Sequence, residues 1–142
     1  MKIKRHLLNV CLLMAAPVMS LGQSGIFVRG EHNSWGANQA DELVATGNGI
    51  YEIENYTLTG AFKIADASWS SACNWGAPAG STLVRPGEKH QLENGSNTNL
   101  TVDGETVCAK ITFDANEGTL LIEKVPDAPE VLAGPALWPV NV

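Results

Sequence analysis

Between residues 107 and 113 the chain alternates without a break: Val107, Ala109, Ile111 and Phe113 interleave with Cys108, Lys110 and Thr112. A period of two is that of a strand with one buried face, and a helix would scatter those four apolar residues around its circumference. Turn formers bracket the stretch, Asp103-Gly104 before it and the polar run at 114–118 after it. The same grammar recurs along the chain. Residues 26–29, 50–58, 61–66, 98–102 and 119–125 read as strands, with weaker candidates at 81–85 and 88–92, and Gly, Asn, Asp or Pro stands at the junctions. One helical turn at most is expected, near 41–46. Seven or eight short antiparallel strands with almost no helical periodicity predict an all-β sandwich. The run at 114–118 holds oxygen donors that calcium could use, but its place between two strands reads as a hairpin turn.

Three segments follow from the composition. Residues 1–22 read as a signal peptide: Lys2, Lys4, Arg5 and His6 form a basic head, an apolar core too short to span a bilayer follows, and Ser20-Leu21-Gly22 supplies small residues for cleavage. Residues 23–125 form one domain with a modest core. From 126 to 142 the chain is a proline-rich tail or linker that holds Trp138. The expected location is therefore extracytoplasmic, secreted or periplasmic, with no membrane attachment after signal removal. Losing the signal leaves six Lys/Arg against fifteen Asp/Glu, a net charge of −9. Such a surface repels phosphate backbones, so no nucleic-acid partner is expected.

Cys73 and Cys108 are the two cysteines of the expected mature chain. In an exported protein the pair is read as a disulfide, worth about 4 kcal/mol on a chain-entropy estimate. Catalysis finds few candidates. His32 and His90 stand in unrelated loops, and no Gly-x-Ser-x-Gly elbow, zinc spacing or phosphate-cradling glycine loop is present. A non-catalytic domain without cofactor or metal is expected. What remains is a set of tryptophans in polar surroundings: Trp35 in Glu31-His32-Asn33-Ser34-Trp35-Gly36, and Trp69 and Trp75 in the Ser/Asn-rich loop that follows the strand bearing Lys63. An indole in a polar loop offers a flat apolar face, on which the C–H face of a sugar can stack while Lys or Asn reaches its hydroxyls. The competing reading is structural. Trp35 can plug an end of the sandwich, Trp69 and Trp75 can pack on a disulfide, and Lys63 can be a solvated charge.

At these residues the chain resembles the glycogen- and starch-binding modules attached to α-amylase-superfamily enzymes, including the accessory domains of pullulanases. The likeness runs through Phe27-Val28-Arg29-Gly30-Glu31-His32-Asn33-Ser34-Trp35-Gly36, Gly47-Asn48-Gly49-Ile50-Tyr51, Phe62-Lys63-Ile64-Ala65-Asp66-Ala67-Ser68-Trp69-Ser70, Asn74-Trp75-Gly76 and Asn99-Leu100. It implies an immunoglobulin-like β-sandwich that binds α-1,4-linked glucose chains without cleaving them. It also implies that Trp35, Lys63, Trp69 and Asn99 contact the sugar, with Trp75 a further candidate. The partner would be an α-glucan, together with a glycoside hydrolase acting on the same polymer. The alternative is a secreted structural or protein-interaction domain.

Overall fold

The computed structural model describes residues 24–126, so the expected signal peptide and all but the first residue of the tail, Trp138 included, lie outside the described residues. Within them the chain is all-β, with eight strands and two short 3-10 turns, Glu31–Asn33 and Gln39–Asp41. The strands are β1 (Ile26–Gly30), β2 (Val44–Gly47), β3 (Ile50–Asp66), β4 (Asn74–Gly76), β5 (His90–Gln91), β6 (Glu93–Asn94), β7 (Leu100–Asp114) and β8 (Thr119–Lys124). All pairings between them are antiparallel. The helical turn expected near 41–46 is instead the end of a 3-10 turn followed by strand β2.

Two long strands organise the sheet. β3 has 17 residues and β7 has 15, where the sequence predicts two short strands in each region. β7 lies along one edge of β3 from Ile50 to Phe62, and β4 continues that edge at Ile64 and Ala65. β2 and β1 share the other edge, at the start and end of β3. The Asp103-Gly104 pair does not turn the chain back. Gly104 takes a φ of 70° within β7, opposite Gly60 of β3 at 74°, and the pairing shifts register between Thr59 and Ala61. The paired irregularity is a bulge, which bends a strand and strengthens its twist without ending it. A bent, continuous sheet can then enclose one core, drawing Val28, Phe62, Ile64 and Leu100 from one end and Leu58, Ile111, Phe113, Leu120 and Ile122 from the other.

The expected disulfide is not formed: Cys73 and Cys108 are both free and both buried. The reason is their place along β3. Cys108 pairs with Tyr56, whereas the carbonyl of Cys73 accepts the amide of Asp66 at 3.1 Å. Nine residues of strand, 57–65, lie between those points, roughly 30 Å of extended chain. A bridge needs Cα atoms within about 7 Å.

Candidate functional site

The end of β3 beyond the bulge is flanked by the two tryptophan turns. The first follows β1. Gly30 passes so close to β3 that a Cβ there would stand 2.5 Å from the Ala61 carbonyl oxygen and 2.7 Å from the Phe62 Cβ, so the position demands glycine. Asn33 then ties the turn together: its side chain accepts the Gly30 amide at 2.9 Å and donates to the Val28 carbonyl at 2.9 Å. The Trp35 amide closes the loop on the Gly30 carbonyl at 2.7 Å. Ser34 and Trp35 both take left-handed backbone angles, with φ of 56° and 60°.

The second turn leaves β3 at Asp66. The Asp66 carboxylate accepts the Ser70 amide at 2.8 Å and also the Ser70 hydroxyl, and these bonds hold it below the usual carboxylate range. Trp69 sits at the top of this turn with φ of 57°. A left-handed backbone is rare for a residue without a short polar side chain. Here both indoles are presented from it.

The two turns converge. The ring centroids of Trp35 and Trp69 are 6.3 Å apart with planes tilted by 48°, and both rings are half-buried. Beneath them lie two cations. Arg29 of β1 and Lys63 of β3 are directly paired across the sheet, so their side chains leave the same face. Arg29 is 8% exposed and Lys63 7%. The Arg29 Cζ lies 3.8 Å from the centroid of the Trp69 ring and the Lys63 Nζ 5.9 Å from it. Burial lowers the pKa of both, Asp66 partly opposing the effect at Arg29. Lys63 Nζ donates to the Ser96 carbonyl, in a gap kept open by Gly76, whose absent Cβ would be 3.0 Å from Lys63 Cε.

The predicted residues therefore divide. Trp35, Trp69 and Lys63 are brought together, with Lys63 under the indoles. Trp75 is not among them. It pairs with Ile64 of β3, packs edge-on against Phe113 at 5.4 Å, and adjoins the core on the opposite face of the sheet from Lys63. Asn99 is half-buried and precedes β7, where Leu100 pairs with Phe62. Sequence reasoning missed Arg29. Its signal was a guanidinium within an apolar strand, directly before the glycine that opens the Trp35 turn. A shallow groove lined by Val44, Thr46, Glu52, Ile53 and Glu54 lies at the other end of β3 and shares none of these residues.

No family model matches the chain, and no curated protein matches it either. Among solved structures the chain is similar to the ligand-induced structure of AmyP-SBD, at 19% identity and a TM-score of 0.41, over 71% of this chain and 70% of that one.

Proposed function

We propose that the chain is an exported, non-catalytic carbohydrate-binding module for α-glucans such as starch, glycogen and maltooligosaccharides. The observation that carries this reading is the Trp35–Trp69 pair, two half-buried indoles held 6.3 Å apart at 48° by structured turns. Stacking surfaces at an angle fit a polymer whose successive rings turn, as α-1,4-linked glucose does. In this reading the sugar lies on Trp35 and Trp69 and Asn99 reaches its hydroxyls, while Lys63, bonded to the Ser96 carbonyl, supports the platform from below. Trp75 supports β4 through Phe113 and acts as a buttress. The partner is the polymer itself and, through it, a hydrolase acting on the same chains.

Each stack is worth about 1 kcal/mol beyond the area it buries, by analogy with aromatic pairs, so affinity should be roughly micromolar to millimolar. Affinity electrophoresis through amylopectin gels tests the reading. The wild type should be retarded, and Trp69→Ala and Trp35→Ala should each bind about tenfold more weakly or worse. Unretarded wild type, or a Trp69→Ala variant that runs like it, would leave the alternative of a secreted structural or protein-interaction domain. In that case the indoles serve to cover the buried cations.

A further inference from the structure

Arg29 is bonded to both tryptophan turns at once. Its Nε and Nη2 donate to the Trp35 carbonyl at 2.9 and 2.6 Å. Its Nη1 donates to the carbonyls of Asp66 and Ala67 at 2.8 and 3.0 Å, the two residues that begin the turn carrying Trp69. The Trp69 ring then lies over the same guanidinium at 3.8 Å. Two facts show that this arrangement is not incidental packing. Arg29 faces Lys63 across the strand pair, a juxtaposition of like charges that ordinarily costs stability. The residues it holds, Trp35 and Trp69, both sit at backbone angles that are costly for a tryptophan and persist only when surrounding bonds over-determine them.

We propose that Arg29 is the positioning residue of the site: one buried guanidinium joins the two turns through three backbone carbonyls and fixes the angle between the indoles before any ligand arrives. The proposal rests on the α-glucan reading only for what the indoles bind. A planar fork with several fixed donors can reach carbonyls on two sides while offering its face to an indole, which a lysine ammonium cannot reproduce. Fixing the binding geometry in the free protein removes an ordering cost from association.

The experiment pairs a ligand-independent readout with a binding one. Coupled indoles at this distance and tilt give a circular-dichroism couplet, identified as the component lost in both Trp35→Phe and Trp69→Phe. Arg29→Lys should lose that couplet and bind maltoheptaose at least tenfold more weakly. In a Trp69→Ala background its further loss should be smaller than in the wild type, because only the Trp35 turn is left for Arg29 to hold. A measurement on the wild type covers the case in which the variant does not fold. The Arg29 Nε–H should exchange slowly with water and show nuclear Overhauser contacts to the Trp69 ring. A couplet that survives in Arg29→Lys, or a freely exchanging Nε–H in the wild type, overturns the proposal even if maltoheptaose binds. Loss of the couplet in a protein that never binds maltoheptaose upholds the role of Arg29 and defeats the α-glucan reading.

Discussion

His32 lies two residues past the strand that carries Arg29, and its ring is half-buried against Tyr56. The Tyr56 hydroxyl donates to Asp41 Oδ1 at 2.6 Å, so the 2.6 Å contact from His32 Nε2 must be a donation to the phenol oxygen. That choice leaves Nδ1 with a bare lone pair, buried and without a partner among the described residues. A second proton would have to go there, facing no acceptor. Burial therefore lowers the His32 pKa below its ordinary value, against a smaller upward pull from Asp41. The sign follows by linkage: the unfolded chain takes up a proton near pH 6.5 while the folded one resists it, so stability is full above about 6.5 and falls as the pH drops toward the lower folded value. The groups facing His32 are Tyr56 and Asp41, and Asn33 and Cys108 adjoin Tyr56; burial and its bond to Asp41 keep Tyr56 protonated throughout. Urea unfolding at pH 7.5 and 5.5 should show a loss in the wild type that is smaller in His32→Asn. Equal losses would contradict the assignment. Tyr56→Phe should cost about 1–3 kcal/mol at either pH, because it strands Asp41 Oδ1 and His32 Nε2 together. None of this network was legible in the sequence, since His32, Asp41 and Tyr56 come from three elements and no local pattern links them.

At the scale of elements, the alternation at 107–113 identified a strand correctly but assigned part of its face wrongly. Ile111 and Phe113 are buried as the period predicts, yet Cys108 is 0% exposed and Val107 is 45% exposed. The parity changes at Ala109. Opposite it in β3 is Asn55, at φ of 51°, and there the buried side passes from the odd positions of Tyr51 and Ile53 to the even positions of Tyr56, Leu58, Phe62 and Ile64. The pairing of β7 with β8 shifts register at the same level. A one-residue change of parity exchanges the faces of a strand, so this irregularity decides which half of each long strand reaches the core. Asparagine tolerates the left-handed conformation because its short polar side chain bonds locally, whereas a β-branched residue does not. Asn55→Val should therefore destabilise by about 1–2 kcal/mol and Asn55→Gly by much less, read from the midpoints of denaturant curves. Similar losses in both would show that the side chain of Asn55, and not its backbone angle, matters. Turn residues inside a long strand explain why the sequence predicts breaks at Gly60 and at Asp103-Gly104. Glycine marks a positive φ, and a bulge requires that as much as a hairpin does.

For the molecule as a whole, the sequence conveyed the class and the density of strands, because turn chemistry and period-two patterning are local. It could not convey that the strands join into two bent rods, and on that fact depends which distant residues meet. Trp35 and Trp69 meet because both turns adjoin the same end of β3. The Cys73–Cys108 bridge fails for the same reason read in reverse, since the two cysteines adjoin β3 at Asp66 and at Tyr56. Stability must then come from the shared core without a covalent tie, and the thiols should behave as buried apolar groups. Cys73 is only 9% exposed, and burial pushes both thiols up to about 11, where little thiolate forms at neutral pH. A thiol reagent at pH 7.5 should label neither residue in the native protein and both after denaturation. The melting temperature should be unchanged by dithiothreitol, whereas a bridge closing that loop would add stabilisation of about 4 kcal/mol and make the melt reductant-sensitive. Mass spectrometry of non-reduced tryptic peptides gives the decisive contrast: separate Cys73 and Cys108 peptides are expected, and a linked pair would contradict the β3 pairings that hold the two cysteines apart.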